Sequence, residues 1–219
     1  MNLTRMVVLA NSWKRHDYCI AGIDLETGTW VRPVTDLDDG RVPQRLMNLR
    51  GRVPALLDVL DIPLDSKGPD FGFECENRWI LPGRWRHAGV VTAQSVSRFV
   101  IQPQFVLHTP GKSVSPDALR AMPFDQRATL QLIRVDNFSV RDNTSDQAYL
   151  GRRRWTGRIQ CGDSEFEANI TDPVYHEKLS GGHQPAQDCL LTVSLSMPWP
   201  KDAPLCWKLI AGVIELSES

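Results

Sequence analysis

Between Met6 and Val34 the chain reads MVVLANSWKRHDYCIAGIDLETGTWVRPV, and few folds accommodate that order of residues. The apolar run Met6-Val7-Val8-Leu9-Ala10 is a buried strand that stops at Asn11-Ser12. Tyr18 to Asp24 and Trp30 to Val34 are rich in β-branched and aromatic residues, and Glu26-Thr27-Gly28 supplies the glycine that a tight reversal needs. A hairpin this close to an opening strand predicts a β domain. The segment between the first two strands, Asn11 to His16, combines hydrogen-bonding groups, the face of Trp13 and the cations Lys14 and Arg15. That is binding chemistry rather than catalytic chemistry.

The rest of the chain continues in short strands. Leu56 to Ile62 alternates and is ended by Pro63, Asn77 to Leu81 is a strand before the Pro82-Gly83 turn, and Thr92 to Val100 fits a short helix. Ser115 caps a second helix, with Pro116 at its first position and Pro123 as its stop. The Pro- and Gly-containing interval Thr109 to Pro116 is the best linker, which predicts domains at 1–111 and 112–219. Thr129 to Val135 and Phe138 to Val140 are strands, and Arg152-Arg153-Arg154-Trp155 opens a second hairpin that turns at Gly162-Asp163. Leu190 to Leu195 is a strand ended by Pro198-Trp199-Pro200. Leu205 to Leu216 is a last strand or strand pair, since Gly212 and the β-branched residues disfavour a helix. The expected class is therefore all-β with short helices, in two small barrels.

Composition narrows function by exclusion. The 219 residues carry a formal net charge of −1, and divided at Pro110 the charges split 13 basic against 12 acidic and 12 against 14. Neither half is a basic domain, so nucleic-acid affinity has to come from local patches. Five widely spaced cysteines without a C-x-x-C pair predict free thiols, with no disulfide frame and no zinc. The N-terminus has no signal-like segment and no apolar run spans a bilayer, which predicts a cytoplasmic protein.

Two segments read either way. Arg41, Arg45, Arg50 and Arg52 lie among Val42, Leu46, Met47 and Leu49, as in a phosphate-facing surface or in a solvated segment whose leucines touch the core. Trp79 and Trp85 alternate with Arg78, Arg84 and Arg86, as in base stacking or as in buried rings with guanidinium groups reaching outward. Catalytic signatures are missing: the sequence has no G-x-S-x-G elbow, Walker loop, H-E-x-x-H or dinucleotide fingerprint. Cys19 near Lys14 and His16 begins an apolar strand, where a thiol is inert, and His176 and His183 lack the companions of a metal site.

Val8 to Ser12 with Lys14, Cys19 to Gly22 and Trp30 to Val34 together resemble the N-terminal signature of the prokaryotic dual OB-containing domain family. The resemblance continues in order through Leu57-Asp58-Val59, Ile62-Pro63-Leu64, Glu76-Asn77, Ile170 to Pro173, Val193 to Leu195, and Cys206 with Lys208 to Ala211. It implies two tandem OB-like barrels and a nucleic-acid- or nucleotide-binding, sensor-type role in bacterial conflict or defence systems, with no cofactor. The sequence ends without an effector domain, so the output is expected from a separate protein. The binding residues expected are Asn11, Ser12, Lys14, Trp30, Arg32 and Asn77 in the first unit, and Arg154, Thr171, Asp172 and Lys208 in the second. Arg32 is expected to face outward or to pair with Asp24 or Asp36. The competing classes are an interaction adaptor that recruits a protein through edge strands, and an enzyme on small nucleotides, for which no titratable pair is identifiable.

Overall fold

The computed structural model describes residues 3–14, 17–47, 49, 51–143 and 154–216, the side chain of Lys14 excepted. Arg15, His16, Arg50, Arg152 and Arg153 lie outside them. The chain forms two β units. The first comprises Met1–Phe99 and Arg120–Thr129, and the second Val100–Leu119 and Leu130–Ser219.

In the first unit β1 (Leu3–Lys14) is the frame. Met6, Val7, Val8 and Leu9 are all fully buried, so both faces of this stretch are covered, as its unbroken apolar run requires. A register shift between Val8 and Ala10 bends the strand. One end pairs antiparallel with β4 (Asp58–Pro63), and β2 (Asp17–Asp24) runs along it from Met6 to Lys14. Gly22 sits where the two backbones nearly touch: a Cβ there would lie 1.9 Å from the Val7 carbonyl oxygen. The turn into β3 (Trp30–Val34) is closed by Gly28, at φ +71°, whose N–H donates to the Asp24 carbonyl at 2.8 Å. β5 (Asn77–Trp79) lies parallel to β3, and β6 (Arg86–Val90) is antiparallel to β4. A four-residue helix, α1 (Ala93–Val96), is capped by the Thr92 hydroxyl, so only the start of the expected 92–100 helix is α-helical. Met6, Val8, Ile20, Val31, Leu60 and Ile62 meet in the core.

The second unit opens with β7 (Ser113–Val114) and α2 (Pro116–Ala121), followed by β8 (Leu130–Val135), β9 (Ser139–Asp142), β10 (Trp155–Cys161) and β11 (Ser164–Ile170). α3 (Pro173–Ser180), β12 (Cys189–Leu195) and β13 (Cys206–Glu215) complete it. In β11 buried and exposed residues alternate without a break, the mark of a strand with one covered face. The β10–β11 hairpin turns at Gly162, where φ is +56° and a Cβ would meet the Pro103 carbonyl oxygen at 2.4 Å.

The expected division near residue 112 falls inside the second unit's first segment. Residues 100–119 belong to that unit because they are fastened into it. Ile101 N–H donates to the Leu132 carbonyl at 3.0 Å, Val114 pairs with Cys206, and Val106, Leu107 and Leu119 are fully buried. The proline and glycine of this interval mark irregular backbone, not a separable linker.

Pairing follows one scheme in both units. The first sheet runs β5-β3-β2-β1-β4-β6 and the second β8-β12-β13-β11-β10-β9, with β7 beside β13. Each holds one parallel pair, β3 with β5 and β11 with β13, among antiparallel ones. By ladder order both sheets are open, so the two closed barrels expected from the sequence are not what the ladders give. One end of the first order, β5, does come round to β4, the strand next to the other end. Beyond β4 and β5, Leu64 bridges Ile80, Asp65 N–H donates to the Trp79 carbonyl, and Leu81 N–H donates to the Pro63 carbonyl, both at 2.9 Å. In the second unit the end strands β8 and β9 are consecutive segments separated by Asp136 to Phe138.

Candidate nucleic-acid interface

The far end of the β1–β2 pair carries the surface that the sequence singled out. Ser12, Trp13 and Lys14 of β1 stand opposite Cys19, Tyr18 and Asp17 of β2. Trp13 is 50% exposed, and its ring meets Tyr18 edge-on with centroids 6.2 Å apart. Tyr18 is fixed from behind by reciprocal backbone hydrogen bonds with Val42, and Arg41 ties the same corner to Asp17 at 3.2 Å and Asp39 at 2.8 Å. The aromatic pair is thus held by a rigid base. Asn11, two residues earlier in β1, is buried. Its Nδ2 donates to the Pro54 carbonyl at 2.8 Å, while its Oδ1 is buried with no partner among the described residues. Trp30, half-buried, begins β3.

Arg32 lies inside the first unit. The parallel β3–β5 ladder sets it opposite Asn77, and its Nη1 meets Glu74 Oε1 at 2.5 Å, so the paired acid is Glu74 rather than Asp24 or Asp36. Its Nη2 donates to the Thr129 hydroxyl at 2.9 Å. Glu76 accepts from both the Thr129 N–H at 2.6 Å and its hydroxyl at 3.0 Å. Asn77 closes the group, its Nδ2 donating to Glu74 Oε2 at 2.6 Å and to the Pro69 carbonyl at 2.7 Å. Burial works against the charge on Arg32, but Glu74 and Glu76 more than offset it and hold the guanidinium above its ordinary value. Burial and the same Glu76 push the neighbouring Cys75 thiol up to about 12. The network occupies Arg32 and Asn77 with protein partners.

In the second unit Arg154 is exposed just before β10. Thr171 donates its hydroxyl to the Ile210 carbonyl at 3.1 Å. Asp172 is the N-cap of α3, Oδ1 accepting from Val174 and Tyr175 N–H groups, and its Oδ2 accepts from Val213 N–H at 3.2 Å. Burial raises its pKa despite these donors. Lys208 is 2% exposed, donates to the Thr109 carbonyl at 2.5 Å and lies 4.6 Å from the centroid of the Phe166 ring. Burial brings its pKa down to about 8. Thr171, Asp172 and Lys208 gather along the β11–β13 seam as internal fasteners.

Sequence reasoning missed Glu74, Glu76 and Thr129, whose meeting with Arg32 depends on strand pairing across 42 to 97 residues. It also read Trp199 only as part of a strand breaker, whereas the structure leaves its ring 67% exposed. Among the described residues no group of three or more His, Cys, Asp or Glu side chains could hold a metal ion, and no helix is long and apolar enough to cross a membrane. All five cysteines are free thiols.

Neither the curated proteins nor the solved structures yield a match to this chain. The family model described as the dual OB-containing domain matches residues 4–213. With that span covering both β units and their shared pairing scheme, the chain belongs to the dual OB-containing domain family.

Proposed function

We propose that this protein is a binding module for single-stranded nucleic acid or a nucleotide, without catalysis or cofactor. It acts as a sensor in the cytoplasm, in a bacterial conflict or defence system. Each unit is read as an OB-type barrel. The bridge between Leu64 and Ile80 supports closure in the first, and the continuity of β8 with β9 along the chain supports it in the second.

Trp13 carries the binding reading. A half-exposed indole, braced by Tyr18 and flanked by Ser12 and Lys14, is a surface on which an unpaired base stacks while a cation meets its phosphate. Direct contact is assigned to Ser12, Trp13, Lys14 and Trp30, and to Arg154 in the second unit. Asn11, Arg32, Asn77, Thr171, Asp172 and Lys208 act by positioning, since the structure gives each a protein partner. Three of the five thiols are disfavoured as nucleophiles. Burial pushes Cys75 and Cys189 up to about 12 and raises Cys161, whereas a cysteine nucleophile needs its thiolate.

Fluorescence polarisation with labelled oligonucleotides over a salt series is the test. Trp13→Ala should weaken binding about 5- to 150-fold, the range for losing one stacked base. Lys14→Ala should lower the log–log salt slope by about 0.7. Both variants should melt near the parent temperature. A parent that binds no oligonucleotide would move the assignment to an adaptor that recruits a protein through an edge strand such as β6.

A further inference from the structure

The connection between β12 and β13 displays a second aromatic surface. Trp199 is 67% exposed, yet its backbone is fixed on both sides: its N–H donates to the Leu205 carbonyl at 3.0 Å, and Leu205 N–H donates back at 3.4 Å. Trp207 Nε1–H donates to the Trp199 carbonyl oxygen at 2.9 Å, which ties the second indole to the first residue's backbone. Trp207 is itself anchored, its N–H donating to Ser196 Oγ at 2.9 Å and its carbonyl accepting from Ser196 N–H at 2.8 Å. The β7–β13 pairing sets Ser113 opposite Trp207 and brings the exposed Lys112 alongside, its Nζ 5.5 Å from the Trp207 ring centroid.

An exposed tryptophan loses hydrophobic stabilisation by facing water, and nothing in its own hydrogen bonding requires a large ring. The loop's order means that little conformational freedom remains to be lost when a flat partner settles on it. The side chain that meets the Trp207 ring is a cation, Lys112, which complements a phosphodiester and repels a basic partner. We propose that Trp199, Trp207 and Lys112 form a stacking site in the second unit for an unpaired base of a single-stranded nucleic acid, with Lys112 meeting the adjacent phosphate. The assignment rests on the nucleic-acid reading above but uses residues separate from the β1–β2 surface.

The probe is a labelled oligothymidylate about 16 nucleotides long, the upper end of the site size for one OB fold. Trp199→Ala in the full chain should weaken binding about 5- to 150-fold and reduce the quenching of tryptophan emission on binding, while Trp199→Phe restores most of the affinity. Lys112→Ala should lower the salt slope by about 0.7. Melting temperatures close to the parent's are expected, since the Trp199 side chain is largely in water. If the parent binds and depends on Trp13, but Trp199→Ala binds equally well, this site is overturned and the indole is left as a contact for another protein. If the parent binds no oligonucleotide, the nucleic-acid reading falls and the site falls with it.

Discussion

Arg32 and Lys208 are the two deeply buried cations of the described residues whose surroundings differ most. Arg32 is surrounded by Glu74, Glu76, Asn77 and Thr129, so removing the guanidinium leaves two carboxylates buried without their cation. Arg32→Met should cost about 3–5 kcal/mol in urea unfolding, and the double variant Arg32→Met with Glu74→Met should recover part of that loss. A single variant as stable as the parent would show the pair to be dispensable. Lys208 has a carbonyl and an aromatic face instead of a carboxylate, and burial alone brings its pKa down from 10.5 to about 8. A lowered lysine pKa means that the unfolded chain holds more protons than the folded one between those values. The contribution to stability is therefore fully present above about 10.5 and is lost as pH falls through about 8. The raised Cys75 and Cys189 thiols act in the opposite sense from about 9 upward, so the lysine is read as a difference: the melting temperature of the parent relative to Lys208→Met should rise with pH across that window. Equal slopes in the two proteins would place the lysine's charge elsewhere than in the folding equilibrium.

At the scale of elements, legibility followed the range of the interaction that fixes each one. The hairpin of β2 and β3 was plain in the sequence because its causes are local: the β-branched and aromatic residues of Tyr18 to Asp24 and Trp30 to Val34, the Asp24 to Gly28 turn, and a long apolar run before it. The β10–β11 hairpin was plain for the same reason, whereas α3 went unread although its Asp172-Pro173 start is a local helix signal. β7 is two residues long and exists because β13 offers a partner, which no local pattern announces, whereas β9 overlaps the strand expected over Phe138 to Val140. The face of Arg32 was legible only as a choice, outward or paired, because alternation fixes a side and not what stands there. The acid came from Glu74, brought in by a parallel pairing that sequence periodicity does not encode. For the same reason Asn77, Asp172 and Lys208 looked like surface chemistry: a polar residue in a strand reads the same whether it meets water or a buried partner.

At the scale of the whole molecule, the chain's route decides how it can be divided. It completes most of the first unit by Phe99, contributes Val100–Leu119 to the second, returns Arg120–Thr129 to the first, and then builds the remaining strands of the second. The returning segment matters because Thr129 satisfies Glu76 through both its N–H and its hydroxyl and receives the Arg32 guanidinium. The outgoing segment matters because Val106 N–H donates to Ser164 Oγ at 2.8 Å and Leu107 N–H to Gln131 Oε1 at 2.7 Å, both from fully buried residues. A cut at residue 112, where composition alone suggests a linker, therefore damages both units. Fragment 1–111 would keep Arg32, Glu74 and Glu76 but lose the hydroxyl between them, and fragment 112–219 would lose Val106 and Leu107 from its core. Expressed separately, neither fragment should show a cooperative thermal transition by circular dichroism, whereas the full chain should. Mixing the fragments should restore cooperative melting only if the exchanged segments find their units. A sharp transition in fragment 112–219 alone, at the temperature of the full chain, would show that residues 100–111 are accessory and that the second unit is complete without them.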